Sequence, residues 1–189
     1  MKNRFFRNYF QVTSASLAEA RSGLWNTDVD PDAYTGEAKQ HYQEAVLKQY
    51  KICVEMADRI SARRAVANAF FLSLNTAVLA AVGALAGSFW RPHLTSGWIL
   101  LFPLVVLLVQ TGAWFWLIRS YRQLNGAKYA VVGALEERLP ASPYWRAEWT
   151  ALGEGKDRSR YWPLTHLEQW LPAAFAALYV IAFIVAIVV

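Results

Sequence analysis

The stretch LPAAFAALYVIAFIVAIVV, residues 171–189, decides the fold. It carries no charge, and ten of the 18 residues in 172–189 are Phe, Leu, Ile or Val. At about −0.3 to −0.6 kcal/mol each near the centre of a helix, they favour insertion into hydrocarbon by about 3 to 6 kcal/mol. A bilayer core needs roughly 20 helical residues to cross it, and this run supplies them. Working back along the chain, residues 65–90 and 94–118 are two further uncharged runs of sufficient length. The composition agrees: 56% hydrophobic and 17% charged is too apolar for an ordinary soluble domain. Three such helices could not all hide from water in 189 residues. The expectation is an all-α integral membrane protein with three transmembrane helices.

Basic residues give the orientation. Of 19 Lys and Arg, ten precede the first run, one (Arg91) lies between the first and second, and eight lie between the second and third. Lys48, Lys51, Arg59, Arg63 and Arg64 stand just ahead of the first run, and Arg119 and Arg122 follow the second. Positive charge stays on the cytoplasmic side. The N-terminus and residues 119–169 are therefore expected in the cytoplasm, with Val189 at the far face of a bacterial inner membrane. The net charge of +5 then describes a surface facing the bilayer, with anionic lipid as its counter-charge. No nucleic-acid recognition module accompanies the basic balance, so nucleic acid is not an expected partner. Lys2, Arg4 and Arg7 interrupt the early aromatic residues, and no cleavable signal peptide is expected. A single cysteine, Cys53, rules out an internal disulfide.

The pattern divides the chain into an N-terminal cytoplasmic segment (1–35), a helical hairpin (36–140) and a cytoplasmic linker (141–164), followed by a C-terminal transmembrane helix (165–189). The hairpin spans are expected at about 66–90 and 96–118. Val46, Tyr50, Cys53, Ala57, Ile60, Arg64, Ala67, Phe71 and Leu74 recur at steps of three and four, the seam of a packed helix pair. The seam runs from polar sequence straight into apolar sequence, so one helix leaves the membrane as a stalk. A matching seam, Leu117, Tyr121, Leu124, Lys128, Val131 and Leu135, leaves the second span. The short connection between the spans makes the two helices antiparallel neighbours: a long antiparallel helical hairpin with cytoplasmic stalks, plus a third C-terminal transmembrane helix. Thr165-His166-Leu167-Glu168 reads as a capping box at the start of that third helix. Trp90 and Trp98 at one face, and Trp114, Trp116, Trp162 and Trp170 at the other, suit interfacial belts.

Three clusters could carry function. Seven of eleven residues in 77–87 are Ala or Gly, including Gly83-xxx-Gly87, a spacing that lets helix backbones approach closely. Such a face packs either against another helix of the same chain or against a second copy. Asn68 and Asn75 are seven apart and share a face with Thr76 beside them. Amides in hydrocarbon either bond between helices or line a wet path. In the stalk, Glu55, Asp58, Arg59, Arg63 and Arg64 mix both signs: a solvated face, a network fixing the hairpin, or a docking site for a cytoplasmic regulator. Glu55 and Arg59 stand four apart in the favourable order, and Asp58 can reach the partner stalk. No catalytic residue, cofactor or metal site is expected. Gly153-Glu154-Gly155-Lys156-Asp157 lacks the first glycine and the hydroxyl residue of a phosphate loop, and His41, His93 and His166 are scattered.

The stretch YKICVEMADRISARRAVANAFFLSLNTAVL (residues 50–79), with the second span and Arg119-Ser-Tyr-Arg122 after it, resembles the SLATT superfamily of small bacterial membrane domains. The likeness covers roughly residues 40–140: an amphipathic cytoplasmic helix, a two-span hairpin and a basic exit helix. The resemblance implies an effector of bacterial conflict and antiphage systems that self-associates and perforates or depolarises the membrane. It also implies a cytoplasmic sensor or nucleotide-synthesising protein as partner, on a separate chain, because this one has no sensing domain. The alternative is a non-toxic scaffold that tethers helical stalks for partner docking.

Overall fold

A computed structural model describes residues 16–26, 34–88, 100–155, 159 and 164–188. The described residues are helical or in turns, with no strand among them. Four helices account for most of them: α1 (Leu17–Leu24), α2 (Gly36–Ser88), α3 (Leu101–Glu136) and α4 (Leu164–Val188). Three of these, α2, α3 and α4, each contain a stretch long and apolar enough to cross a membrane. The protein is an all-α integral membrane protein.

Local sequence explains where the helices start and stop. Ser16 caps α1: its hydroxyl accepts from the Glu19 N–H at 3.1 Å, and Glu19 accepts from the Ser16 N–H at 3.0 Å. Helix α2 opens on Gly36 at φ +56°, a conformation that favours glycine. It then runs 53 residues without a proline. Pro103 sits in the first turn of α3, where its missing N–H has no intrahelical partner to lose. Helix α4 continues through Pro172, which is buried.

The chain divides into two compact units. The first draws on Met1–Ala62 and Tyr121–Pro163, the second on Arg63–Ser120 and Leu164–Val189. In the first unit α2 and α3 pack antiparallel, with Tyr50 bonded to Glu136 and Ser61 to Asn125. Val46 and Ala57 of α2 and Val132, Ala134 and Leu135 of α3 form its core. The seam expected on α2 holds here; that on α3 holds at Leu135 but is turned by one residue at Leu124. Leu124 is 46% exposed, and Asn125 beside it meets Ser61 at 3.4 Å. An apolar side chain scored a seam position there that a polar pair occupies.

In the second unit α4 lies parallel to α2: Arg64 meets Glu168 and Asn75 meets Tyr179, both at an offset of 104 residues. Trp114 and Ile118 of α3 are buried between the helices. Trp114, expected in an interfacial belt, is 0% exposed within the chain. Its ring stacks on Phe71 at 5.8 Å and lies 5.9 Å from Phe175, and its indole N–H has a partner inside the unit. Trp116 and Trp170 are exposed, and Trp90, Trp98 and Trp162 lie outside the described residues.

Candidate functional site

The first unit is organised around a residue that the sequence did not single out. Glu136, the last residue of α3, is buried, and its carboxylate accepts four hydrogen bonds. The Tyr50 hydroxyl donates at 3.2 Å, the Ser142 hydroxyl at 2.6 Å, and the backbone N–H groups of Tyr144 and Trp145 at 3.1 and 3.0 Å. A buried carboxylate is tolerable when its lone pairs are filled in this way. Burial, and then the negative charge of Glu136, push the Tyr50 hydroxyl up to about 12. The same four bonds fold a segment that composition marks as linker. Pro143–Glu148 forms a π-helical turn, in which the Ala147 N–H bonds the Ser142 carbonyl at 3.1 Å. Trp145 is drawn so close to α3 that a Cβ on Gly133 would stand 2.7 Å from its ring.

Helix α1 has no buried residue and is held by charge. Arg21 grips Glu137 through two bonds, at 2.8 and 2.5 Å. Arg138 stacks over the Trp25 ring at 3.4 Å and donates to the Tyr42 hydroxyl. A cavity of about 420 Å³ lies beside this junction, lined by Arg21, Glu136, Glu137, Trp145, Arg146 and Trp149 among others.

The residues anticipated in the stalk separate. Glu55 and Arg59 make an exposed i,i+4 pair at 3.2 Å. Asp58 is exposed and makes no ion pair among the described residues, so the expected reach across to the partner stalk is not made. Arg63 is exposed. Arg64 belongs to the second unit and lies 3.5 Å from Glu168. Glu168 was expected to reach back to the start of its own helix. Glu168 lies against the opposite charge of Arg64 on α2, and the side chains of the expected cap lie outside the described residues.

In the apolar part of α2 both amides bond between helices. Asn68 Oδ1 accepts from the Trp114 indole at 2.9 Å, joining α2 to α3. Asn75, 0% exposed, accepts from the Tyr179 hydroxyl at 2.7 Å and donates to the Phe71 carbonyl at 2.7 Å, joining α2 to α4. Thr76 is exposed and bonds its own helix at the Leu72 carbonyl. It belongs to a different stripe: Ala69, Ser73, Thr76 and Ala80, at alternating steps of four and three, are all exposed on one face of α2. The sequence continues this stripe to Gly83 and Gly87, whose surroundings lie outside the described residues. Within the most apolar window of α2 only 6% of the residues are buried by the chain's own packing. A helix of small side chains offers lipid tails little to pack on and a neighbouring helix much.

The model of the octameric membrane protein family matches residues 47–188 of this chain. The chain belongs to that family. No curated protein and no solved structure matches it. The octameric membrane protein family match takes in α3, α4 and α2 from residue 47 on, so it covers the second unit up to residue 188 and the part of the first from residue 47. This is a membrane protein of an oligomerising family. The uncovered stripe on α2 is the feature of the described spans that suits contact with another helix.

Proposed function

We propose that the chain assembles in the bacterial inner membrane as a homo-octamer, through the small-residue face of α2, and that the assembly opens a path across the bilayer. In this reading it is a non-enzymatic effector of a conflict or antiphage system, related to the SLATT domains it resembles. Its first unit lies in the cytoplasm, where a sensor or nucleotide-synthesising partner triggers it. The observation that carries the reading is the exposed stripe Ala69, Ser73, Thr76 and Ala80 leading towards Gly83 and Gly87. The family description supplies the stoichiometry.

The test pairs assembly with conductance. Purified protein in native nanodiscs is weighed by mass photometry, and cells expressing it are followed with a voltage-sensitive dye. The wild-type chain should give an eightfold assembly and depolarise the membrane, with its neighbouring gene products present if a trigger is needed. Ala80→Ile and Gly83→Ile should abolish both. Assembly retained in both variants would remove the stripe from the interface.

A second reading has its own support. Asn68 and Asn75 bond inside the chain, leaving Ser73 and Thr76 as the exposed polar groups of the described α2 span. That favours a non-conducting scaffold that assembles and presents its stalks to a cytoplasmic partner. An intact membrane potential alongside a normal octamer would select it.

A further inference from the structure

Three ionisable side chains mark one boundary of the second unit's apolar interior. Arg64 directly precedes the first uncharged run, Arg119 directly follows the second, and Glu168 is the last ionisable residue before the third. Helical rise places them together. Asn68 bonds Trp114; Arg64 lies four residues before the one and Arg119 five residues after the other, on antiparallel helices. At about 1.5 Å per residue both stand some 6 to 8 Å from that bond, on the same side. Glu168 is on the same level, 3.5 Å from Arg64.

The layer is unfinished in charge and in hydrogen bonding. Arg64 has the Glu168 carboxylate at 3.5 Å and Arg119, at the same level, has none among the described residues, which leaves a surplus of one positive charge. Arg119 is only 6% exposed, rests 5.7 Å over the Trp116 ring, and has no carboxylate partner among the described residues. Arg119 Nη2 is buried without a hydrogen-bond partner, and the buried Arg64 Nε and Glu168 Oε2 have only each other, as an ion pair at 3.5 Å. A buried cation left in this state is strongly unfavourable, and the missing component is an anion with several acceptor oxygens. Guanidinium groups match phosphate oxygens in charge and in planar geometry. The level, where three apolar runs end, is that of lipid headgroups. Trp116 and Trp170, the latter 72% exposed, stand beside it, as interfacial rings do. Arg64, with 17% of its side chain exposed, provides the way in.

We propose that the Arg64–Arg119–Glu168 layer is a binding site for the phosphodiester headgroup of an anionic phospholipid. Glu168 holds Arg64 in place from one side, and the headgroup phosphate completes Arg119 from the other. Because the layer joins α2, α3 and α4, a bound lipid fastens the three helices at that boundary.

Native mass spectrometry of the full chain released from detergent tests this, with dioleoyl phosphatidylglycerol, dioleoyl phosphatidylcholine and inorganic phosphate as separate probes. The wild-type protein should retain phosphatidylglycerol about fivefold more than phosphatidylcholine, the effect of roughly one basic residue's worth of attraction. Arg119→Gln and Arg64→Gln should each bring retention down to the phosphatidylcholine level. Arg146→Gln, in the first unit, should leave it unchanged. Equal retention of the two lipids by the wild-type chain overturns the proposal without recourse to any variant that folds poorly. So does selective retention that survives both arginine changes. Displacement of the lipid by millimolar phosphate would assign the site to a free anion and overturn the lipid.

Discussion

The two units hold their helices together with opposite kinds of polar group. In the first, a full negative charge on Glu136 is buried and surrounded by four donors, two of them backbone N–H groups from the segment after α3. In the apolar interior of the second, beyond the Arg64–Glu168 pair at its boundary, the locks are neutral: an amide of α2 takes an indole N–H from α3, and another takes a phenol O–H from α4. The difference follows the medium. Near water, a carboxylate can be gathered in if enough donors come with it, and the donors can include irregular backbone. In hydrocarbon a bare charge is costly and irregular backbone has no water to fall back on. Neutral side chains on regular helices then become the usable locks.

The largest effect should come from removing the charged hub. Glu136→Ala leaves Tyr50, Ser142 and the N–H groups of Tyr144 and Trp145 without their acceptor. With partial rewetting the loss should be about 3 kcal/mol. Hydrogen exchange should show residues 142–151 losing protection first. Tyr50→Phe removes one of the four donors and should cost about 1 kcal/mol, with protection of that segment largely kept. Equal effects from the two changes would mean that the four bonds stand or fall together rather than contributing separately.

Gly133→Ala probes the same unit through packing rather than charge. The added Cβ would stand 2.7 to 2.9 Å from three atoms of the Trp145 ring, so the indole must move. Overpacking of this kind costs about 1 to 3 kcal/mol, against which alanine returns about 1 kcal/mol of helix propensity. A net loss of about 0 to 2 kcal/mol should appear, with a shift in tryptophan emission that is absent in a Trp145→Phe background. No shift would place Trp145 elsewhere in solution.

The neutral locks should be weaker. Asn75→Leu and Tyr179→Phe each remove the 2.7 Å bond between α2 and α4. Interhelical hydrogen bonds in membranes average about 0.6 kcal/mol, so a loss below that of Tyr50→Phe is expected for either. A double-mutant cycle under steric trapping measures it. A coupling energy near that of Glu136 with its donors would erase the contrast between the units.

How much of this was legible in the sequence follows from the distance over which each feature is decided. The three spans are properties of single runs of residues, and hydropathy reads them directly. The seam of α2 was also readable, because its steps of three and four persist from Val46 to Phe71 through both units, though its last expected member, Leu74, is exposed and Asn75 beside it is buried. The face of α3 was not, because apolar Leu124 and polar Asn125 compete for one position and only Ser61, 64 residues away, settles it. Trp114 looked interfacial by type; its burial depends on Phe71, Phe175 and Asn68 from two other helices. Glu136 was invisible for the same reason, since two of its donors are backbone groups that carry no residue signature. One available signal was an acidic residue directly beside the seam position Leu135, at a helix C-terminus where the dipole disfavours negative charge.

The smallest effect lies at α1, and it should respond to acid. Arg21 lowers the Glu137 carboxyl from its ordinary value of 4.5, through hydrogen bonding first and charge second. The folded form therefore prefers the ionised carboxylate. Stability from this contact is fully present above pH 4.5 and declines as pH falls through and below that value, while Arg21 stays charged throughout. Both groups are close to solvent, so the contribution is screened and small. Helix α1 has no buried residue to hold it otherwise, and Arg138 over Trp25 is its other tie. Limited proteolysis near residue 24 should thus speed up on acidification below pH 4.5 before the rest of the unit loosens. Glu137→Gln should give the same rate at neutral pH and remove the acid dependence. If that variant keeps the wild-type acid response, the ion pair is not what docks α1, and the stacked Arg138–Trp25 contact carries the attachment instead.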